Sequence, residues 1–461
     1  MSCSSANTRQ WLAASIASVG LFMTGMFLGW PSPVVSQLRE GRSPLSLTAA
    51  EVSWAVSLLY LGSLLSPLAA GTLMDRWGRR GALRATAVVA LVSWLLLVCS
   101  TRVEVIYVAR VLGGMWGGLS YAITPIYLCE IADPKVRGAL NTMFTLMFNL
   151  GIMFEYTLGA FLPYNGLNIA SCCVPVAFVL SLSLIPESPY FFIMWKRTKD
   201  AEEALQWLRC TQDVKKELET IEYSVRQDLK NKGRISDLVR TPGARRALFM
   251  TEMVAFLQRN SGSSVMTAYI STSLPKGGPI SGDQCAIVMC GLYLIFGVLS
   301  TFLVDRLGRR PLLAVSCVGC SVATGFLTAW FYMLEQVREN LDSYNIVPYA
   351  SFGIYALFYP LGLACIPSII QGELFPANVK GIASGLTAIV VAFVSFVTNK
   401  LYQPLSETCG TYTNYLYFTI SSAGGIFFAI FILIETRNKT LQEINFELNK
   451  LNELSVDYET E

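Results

Sequence analysis

The chain has 461 residues, of which 53% are hydrophobic and only 15% are charged. Soluble domains usually carry about 25% charged residues, so this composition indicates a protein embedded in lipid. The net charge of +3 is too small to indicate nucleic-acid binding. The chain contains no His, which excludes a proton relay through imidazole.

Twelve apolar segments have about the 20 residues that an α-helix needs to cross a bilayer. Six of them precede a highly charged central segment and six follow it, so we expect an all-α membrane protein. The predicted spans are 11–32, 52–74, 82–100, 105–129, 138–161, 167–185, 247–271, 283–304, 311–333, 348–371, 381–402 and 414–434.

These spans divide the chain into five parts. We expect a cytoplasmic N-terminal tail at 1–10, a six-helix bundle at 11–185, a cytoplasmic linker at 186–246, a second six-helix bundle at 247–434 and a cytoplasmic tail at 435–461. No small-residue cleavage site accompanies the first span, so we expect it to be retained as a helix.

The linker is too rich in charge to enter the hydrocarbon core, and its apolar spacings predict helices over 200–210 and 213–231. Basic residues are concentrated in the linker, the tails and the loops on the same side of the membrane. That asymmetry predicts an integral multi-pass protein with both termini cytoplasmic. We expect it in the plasma membrane.

Charged turns recur at matching places in the two halves. The run GTLMDRWGRR at 71–80 and the run DRLGRR at 305–310 each separate two apolar spans. EIADPKVRG at 130–138 follows the fourth span and ELFPANVKG at 373–381 follows the tenth, while PESP at 186–189 and IETR at 434–437 close the sixth and twelfth. Membrane anchoring by positive charge has no need of the repeated acids, whereas a carrier built from two similar bundles explains the duplication.

Together with RVLGG at 110–114, these motifs resemble those of the sugar-porter family of the major facilitator superfamily. The resemblance is closer to the branch of facilitated trehalose and hexose transporters, and it covers nearly the whole chain, from about 11 to 444. It implies the major facilitator fold, with 12 transmembrane helices in two pseudo-symmetric six-helix bundles that move about a central substrate site. It also implies a carrier and not an enzyme. The glycine pairs at 113–114 and 117–118 are expected to allow close helix contact.

The repeated acids and bases predict a gate at the cytoplasmic ends of the bundles, because the planar fork of Arg can hold a carboxylate through two bonds. We expect Arg76, Arg79, Arg80 and Arg137 to pair with Glu130 and Glu187, and Arg306, Arg309 and Arg310 to pair with Glu373 and Glu435. The predicted gate set is Asp75, Arg76, Arg79, Arg80, Glu130, Arg137, Glu187, Asp305, Arg306, Arg309, Arg310, Glu373, Lys380 and Glu435.

The predicted substrate site departs from the family pattern. Sugar porters usually carry a Gln-Gln pair, Ser-Gly and then Asn in the seventh span, and amides suit sugar hydroxyls because they both donate and accept. Here that stretch reads QRNSGSS at 258–264, the tenth span has ACIPS at 364–368 without the usual Trp, and the eleventh has Val391 and Ala392 in place of Asn-Trp. The predicted substrate-binding residues are Gln258, Arg259, Ser264, Thr145, Tyr293 and Ser368.

Two charged residues inside spans leave alternatives open. Arg259 indicates either an anionic substrate or a cation that faces an aqueous cavity and pairs inside the protein, with Glu155 as the candidate partner. Glu155 could equally reach the outer interface. Proton symporters of the family carry an Asp at the end of the first span, whereas this chain has Gly29, Trp30 and Pro31 there. The absence of this acid favours facilitated diffusion. Glu155 is the one candidate that could replace it as a proton-binding residue.

We therefore predict a facilitative carrier of a sugar, either a hexose or a trehalose-like sugar, that works by alternating access. Its expected partners are a small-molecule substrate and membrane lipids, with no nucleic acid, no cofactor and no metal. The cysteine spacings suggest neither a disulfide framework nor a metal site. Two other hypotheses remain: a carrier of a non-sugar, including an anionic, organic solute, and a transporter-like solute sensor. The sequence does not fix the oligomeric state.

Overall fold

A computed structural model describes residues 2–39, 45–133, 136–230, 233–275, 278–337, 344–439, 443–444 and 446–449. Every regular element within these ranges is a helix, as the apolar spans predict. The chain forms two compact units. The N unit is Met1–Asn231 with Thr267–Thr272, and the C unit is Lys232–Met266 with Ser273–Glu461.

Among the described residues, the N unit contains six long helices, one short helix after the first of them, and further short helices from the linker. Its helices are α1 Ser2–Gly29, α2 Pro31–Arg39, α3 Ala49–Trp77, α4 Arg79–Val98, α5 Val103–Ile131, α6 Arg137–Phe161, α7 Tyr164–Ser181, α8 Pro189–Met194, α9 Thr198–Arg209 and α10 Lys215–Lys230. A 3-10 turn at Leu182–Leu184 extends α7.

Among the residues described up to Phe427, nine more helices follow, nearly all in the C unit. They are α11 Asp237–Arg240, α12 Pro242–Asn260, α13 Ser263–Ser273, α14 Gly282–Leu307, α15 Arg309–Tyr332, α16 Ile346–Leu361, α17 Ile366–Leu374, α18 Ala377–Thr408 and α19 Thr411–Phe427. A π-helical turn follows α15 at Met333–Val337 and another follows α19 at Phe428–Ile432.

Ten stretches among the described residues are long and apolar enough to cross a membrane. The other two of the twelve predicted spans correspond to α5 and to α12 with α13. Helix α5 carries the charge of Arg110, and α12 carries four charged side chains. Charge in these helices must be accommodated inside the protein, because the hydrocarbon core offers it no solvation.

Glycines set the distance between α3 and α5 in the N unit. A methyl group on Gly62 would collide with the backbone of Val111, and one on Gly114 would collide with the backbone of Leu59. Small residues at a helix crossing let the two backbones touch. In lipid the hydrophobic effect does not drive helices together, and close van der Waals packing of this kind stabilises their association. The expectation of close contact at the 113–114 and 117–118 pairs is confirmed, since Gly118 also lies against Ser66 of α3.

Two spans of the C unit are broken. Helix α12 ends at Asn260 and α13 begins at Ser263, with Gly262 between them at φ +91°. Helix α16 ends at Leu361 and α17 begins at Ile366. Broken helices expose backbone carbonyls that must find partners within a membrane.

The charged linker folds against the N unit. Helices α9 and α10 form where the apolar spacing predicts them, and the apolar faces of α8, α9 and α10 share one small core. That core contains Ile193, Ala201, Leu205, Val214, Leu218, Ile221 and Val225. Arg209 joins the two longer helices through Glu217, at 2.7 Å, and also donates to the carbonyl of Ile131 at the end of α5.

Candidate functional site

The charged turn between α3 and α4 is organised around Arg79. Its Nη2 lies 2.7 Å from Oε1 of Glu130, at the end of α5, and its Nε lies 3.1 Å from the same oxygen. The hydroxyl of Ser188 donates to the other oxygen of Glu130. Only 9% of the Arg79 side chain and 13% of the Glu130 side chain are exposed, so this ion pair is largely shielded from solvent.

Glu187 has a different role from the predicted guanidinium partner. Its carboxylate accepts hydrogen bonds from the backbone N–H groups of Arg79, Arg80 and Gly81, at 2.8, 3.0 and 3.1 Å. These N–H groups form the first turn of α4 and have no partner within the helix. Glu187 therefore caps the helix at its electropositive end. The guanidinium of Arg80 donates instead to the carbonyl of Ile185, at 2.7 Å.

The C unit repeats this arrangement. Nη2 of Arg309 lies 2.7 Å from Oε1 of Glu373, and the hydroxyl of Thr436 donates to the other oxygen of Glu373 at 2.6 Å. Glu435 accepts from the backbone N–H groups of Arg309 and Arg310, each at 3.0 Å. Gly78 and Gly308, which precede the two capped helices, have φ of +79° and +94°.

The environment of Glu435 shifts its acidity. Burial by itself would raise the pKa of this carboxyl, but hydrogen bonds from the backbone N–H groups of Arg309, Arg310 and Arg437 oppose it, and so does the charge of Arg309. The balance lowers the pKa of Glu435 below its ordinary value. The carboxylate is therefore held in its ionised form, as a helix cap requires.

The other predicted gate residues are less central. Asp75, Arg76 and Arg306 have exposed side chains, and Lys380 donates to the carbonyl of Gly372 at 3.3 Å. The carboxylate of Asp305 accepts from Arg309 at 3.3 Å. The guanidinium of Arg310 donates to the carbonyls of Ala429 and Ile430. The side chain of Arg137 lies outside the described residues.

Sequence reasoning missed the two hydroxyls that complete these clusters. Ser188 follows Glu187 directly, and Thr436 follows Glu435 directly. In each half the acid caps a helix while the neighbouring hydroxyl binds the carboxylate of the ion pair. The signal was the recurrence of an acid followed by a hydroxyl residue at the end of the sixth and twelfth spans.

Gln258 lies at the break between α16 and α17. Its amide Nε2 donates to the carbonyls of Leu363 and Ala364, at 2.8 and 3.2 Å. These carbonyls belong to the interruption that runs from Gly362 to Cys365, so the side chain replaces helix hydrogen bonds that the break removes. Gln258 is predicted to bind substrate, but in this structure its amide donor is used by backbone carbonyls of the protein.

Arg259 follows Gln258 on α12 but has different surroundings. Its Nε is buried and has no hydrogen-bond partner among the described residues. None of the ion pairs between described residues includes it. The next residue, Asn260, accepts from the hydroxyl of Tyr417 at 2.6 Å, so the end of α12 is tied to α19 while Arg259 keeps unused donors.

The other predicted substrate residues lie on separate elements. Tyr293 of α14 is buried beside Tyr359, with ring centroids 5.6 Å apart. Ser264 is buried, and its hydroxyl lies 3.5 Å from that of Thr398. Ser368 is exposed at the start of α17 and donates to its own helix at Cys365, at 2.8 Å. Thr145, on α6 of the N unit, is exposed.

Arg110, Glu155 and Glu252 are further ionisable side chains within the spans. Arg110 is fully buried in the N unit and donates to the carbonyls of Ala55 and Phe27, at 2.9 and 2.7 Å. Glu155 is also fully buried and accepts from the hydroxyl of Ser171 at 2.6 Å. Its side chain therefore does not reach the protein surface. Glu252 of α12, which the sequence analysis overlooked although it lies in the seventh span, accepts from Thr387 at 2.7 Å.

Comparison with known proteins identifies the family. The family described as "Sugar (and other) transporter" matches residues 2–448. The chain belongs to this sugar transporter family. It is therefore an integral multi-pass membrane carrier and not an enzyme.

The individual relatives are distant. The chain is 29% identical to the facilitated trehalose transporter Tret1 of Aedes aegypti over 94% of this chain and 54% of that protein. It is 28% identical to the protein of the same name from Bombyx mori over 95% of this chain and 86% of that protein. The chain thus spans about half the length of the mosquito relative and most of the silkworm relative.

Solved structures show the major facilitator fold that the sequence predicts. The inward open conformation of the xylose transporter XylE from E. coli matches with a TM-score of 0.79 at 18% identity, over 95% of this chain and 99% of that one. A partially occluded inward open conformation of the same protein matches with a TM-score of 0.77 at 19% identity, over 94% of this chain and all of that one. At such identities the likeness concerns the fold alone.

Proposed function

We propose that this chain carries a sugar across the plasma membrane by facilitated diffusion, and that the sugar is a hexose or a trehalose-like sugar. Membership of the sugar transporter family supports a sugar as the substrate. The repeated acid–base clusters carry the proposal of alternating access, because each half of the chain builds the same ion pair and the same helix cap from its own residues. A duplicated machinery of this kind suits two bundles that move as equivalent parts.

The facilitative mode is supported by the end of the first span. Gly29, Trp30 and Pro31 occupy the stretch in which proton symporters of the family carry an acid. Without a carboxylate on this helix, transport of the sugar has no evident coupling to a proton gradient. The carrier would then equilibrate its substrate and not concentrate it.

The clusters around Arg79 and Arg309 are the proposed cytoplasmic gate. Each joins the ends of two helices through an ion pair, and an acid from a third segment caps the N-terminus of one of these two helices. Such a shielded ion pair resists breaking, since removal of one partner leaves a charge with little solvation. The gate residues would in this way hold the helix ends in register while the bundles alternate.

The proposed substrate residues are Gln258, Arg259, Ser264, Thr145, Tyr293 and Ser368. Arg259 favours a second candidate function, the transport of an anionic organic solute. Its buried Nε has no partner among the described residues, and a guanidinium is a donor without acceptors. A carboxylate or phosphate on the substrate would satisfy these donors better than a hydroxyl would.

Reconstitution tests the function directly. The purified carrier in liposomes is given labelled glucose, trehalose, a polyol, a sugar acid and a dicarboxylate, each with and without a proton gradient. We expect one of the sugars to equilibrate across the membrane, and a proton gradient not to raise its final internal concentration. Accumulation above equilibrium would contradict facilitated diffusion, and transport of the anions alone would replace the sugar by the second candidate.

A further inference from the structure

Glu155 is a buried carboxyl group for which the proposed transport cycle has no use. None of its surface is exposed, and the one hydrogen bond that it makes with a described residue comes from Ser171 of α7, at 2.6 Å. The second oxygen, Oε2, is buried without a partner among the described residues. No ion pair within 4.0 Å between described residues includes it. A carboxylate with this little compensation is costly to keep ionised, and uptake of a proton removes the cost.

The opposite charge that acts on Glu155 is Arg110 on α5. Its Nε and Nη1 donate to backbone carbonyls, and the guanidinium lies over the ring of Trp30, 5.0 Å from the ring centroid. Its Nη2 is buried without a partner among the described residues. Arg110 and Glu155 interact electrostatically. Arg110 has an unused donor, Nη2, and Glu155 has an unused acceptor, Oε2.

The groups around this pair are few. Helix α6 packs against α1, α2, α5 and α7, and residues 10–38 of the first two contribute no ionisable side chain. Helix α5 contributes Arg110, whose guanidinium interacts electrostatically with Tyr164 of α7, Tyr60 of α3 and Tyr269. Tyr269 belongs to the segment Thr267–Thr272 of the N unit. Glu155 is thus the acid of this cluster, and Arg110 is its base.

Both side chains lie against the last turn of the first span. Arg110 binds the carbonyl of Phe27, and a methyl group on Gly29 would come within 3.2 Å of Cβ of Glu155. Helix α1 ends at Gly29 and α2 begins at Pro31, so this turn is a junction between helices. Trp30 lies at the junction and donates to Asn168 of α7, at 2.8 Å. A change in the charge of Glu155 therefore acts where α1, α5, α6 and α7 meet.

We propose that Glu155 is a proton-binding site that regulates transport, and that the carrier alternates with this carboxyl protonated. When Glu155 loses the proton, its free oxygen and the free Nη2 of Arg110 attract each other and tie α6 to α5 across the junction of α1 with α2. The junction then resists bending and transport slows. The proton binds and leaves the same carboxyl and is not exchanged for substrate, so the sugar still moves by facilitated diffusion. This inference rests on the proposed function, whose transport rate it describes.

The test is the pH dependence of exchange in liposomes that have equal pH on both sides. Wild-type exchange of labelled sugar is expected to fall by roughly tenfold from mildly acidic to mildly alkaline pH, the ratio that about 1.4 kcal/mol produces. Glu155→Gln, which keeps the acceptor for Ser171 and cannot ionise, is expected to hold the fast acidic rate at every pH. Glu252→Gln is the matched control, because it alters a half-buried Glu of a span in the C unit and should keep the wild-type profile.

A spectroscopic measurement separates this inference from the transport function. The infrared carbonyl stretch of a protonated carboxyl should be present in the wild type, diminish as pH rises and be absent from Glu155→Gln. A Glu155→Gln variant with the wild-type pH profile would overturn the proposal, as would a wild type whose band for a protonated carboxyl is missing at acidic pH. If no sugar is transported at any pH, the proposed function fails, while the infrared titration still decides whether Glu155 binds the proton.

Discussion

At the scale of single residues, the two acids of each charged cluster have different roles. Glu130 and Glu373 hold a guanidinium, whereas Glu187 and Glu435 hold the backbone of a helix start. The sequence shows that acids and bases recur together, but it treats every acid as a partner for an Arg side chain. Glu187 and Glu435 cap helices because the ends of the sixth and twelfth spans lie beside the N-termini of α4 and α15. The local sequence pattern does not predict that placement.

The Arg79–Glu130 pair should matter to stability more than an exposed ion pair does. Replacing Arg79 with Ala leaves Glu130 shielded and without its counter-charge, so we expect a loss of about 3–5 kcal/mol in the free energy of unfolding. Thermal unfolding of the purified carrier measures this, with Arg102→Ala, a change to an exposed Arg, as the control. In the double variant Arg79→Ala with Glu130→Gln, the loss should be smaller than the sum of the two single losses. Simple additivity would show that the two side chains do not interact.

Glu435 should make stability depend on acidic pH. Its pKa is lowered in the folded protein, so the stabilisation is complete above the pKa of an unfolded Glu, near 4.3, and is lost as pH falls through the lower folded value. The difference in melting temperature between the wild type and Glu435→Gln should therefore be largest near neutral pH and disappear on acidification. Glu104→Gln, which alters an exposed carboxyl, should show no such pH-dependent difference. A constant difference across the acidic range would contradict the role of the ionised cap.

At the scale of elements, the positions of the spans could be predicted and their interruptions could not. Apolar length and charge placement locate every long helix, and apolar spacing locates α9 and α10. The break between α16 and α17 is stabilised by Gln258 from another span, and a contact so distant in sequence leaves no mark on local hydropathy. The break at Gly262 does have a local signal, the Ser-Gly-Ser run at 261–263. The resemblance to sugar porters leads us to interpret that run as part of the substrate site and not as a helix break.

Gly262 is expected to be indispensable to the break between α12 and α13. Its φ of +91° is strained for any residue with a side chain, and a methyl group there would lie 2.6 Å from the ring of Phe418. Gly262→Ala should lower the free energy of unfolding by about 1–3 kcal/mol and reduce transport, because the break must shift. Gly291→Ala is the control, since that glycine lies within α14 with nothing within 4 Å of an added methyl group. Equal melting temperatures for the two variants would show that α12 and α13 do not depend on this conformation.

At the scale of the whole molecule, the charged clusters and the linker together determine the expected orientation. The ends of α3 and α14 carry the basic turns, and α8 to α10 pack in the N unit with Arg209 reaching the end of α5. Basic residues near the ends of spans are retained on the cytoplasmic side during insertion. All these segments should therefore face the cytoplasm, and so should the chain before α1 and after α19.

Epitope tags can test this orientation in intact cells. Tags at Met1 and at Glu461 should bind antibody only after the plasma membrane is permeabilised, because an even number of spans leaves both ends on the side of the basic turns. A tag inserted between Gly278 and Pro279, in the loop that joins α13 to α14, should bind antibody without permeabilisation and so confirms that the carrier has reached the cell surface. Antibody binding to either terminal tag on sealed cells would contradict the predicted orientation. It would also place the Arg79 and Arg309 clusters outside, where they could not form a cytoplasmic gate.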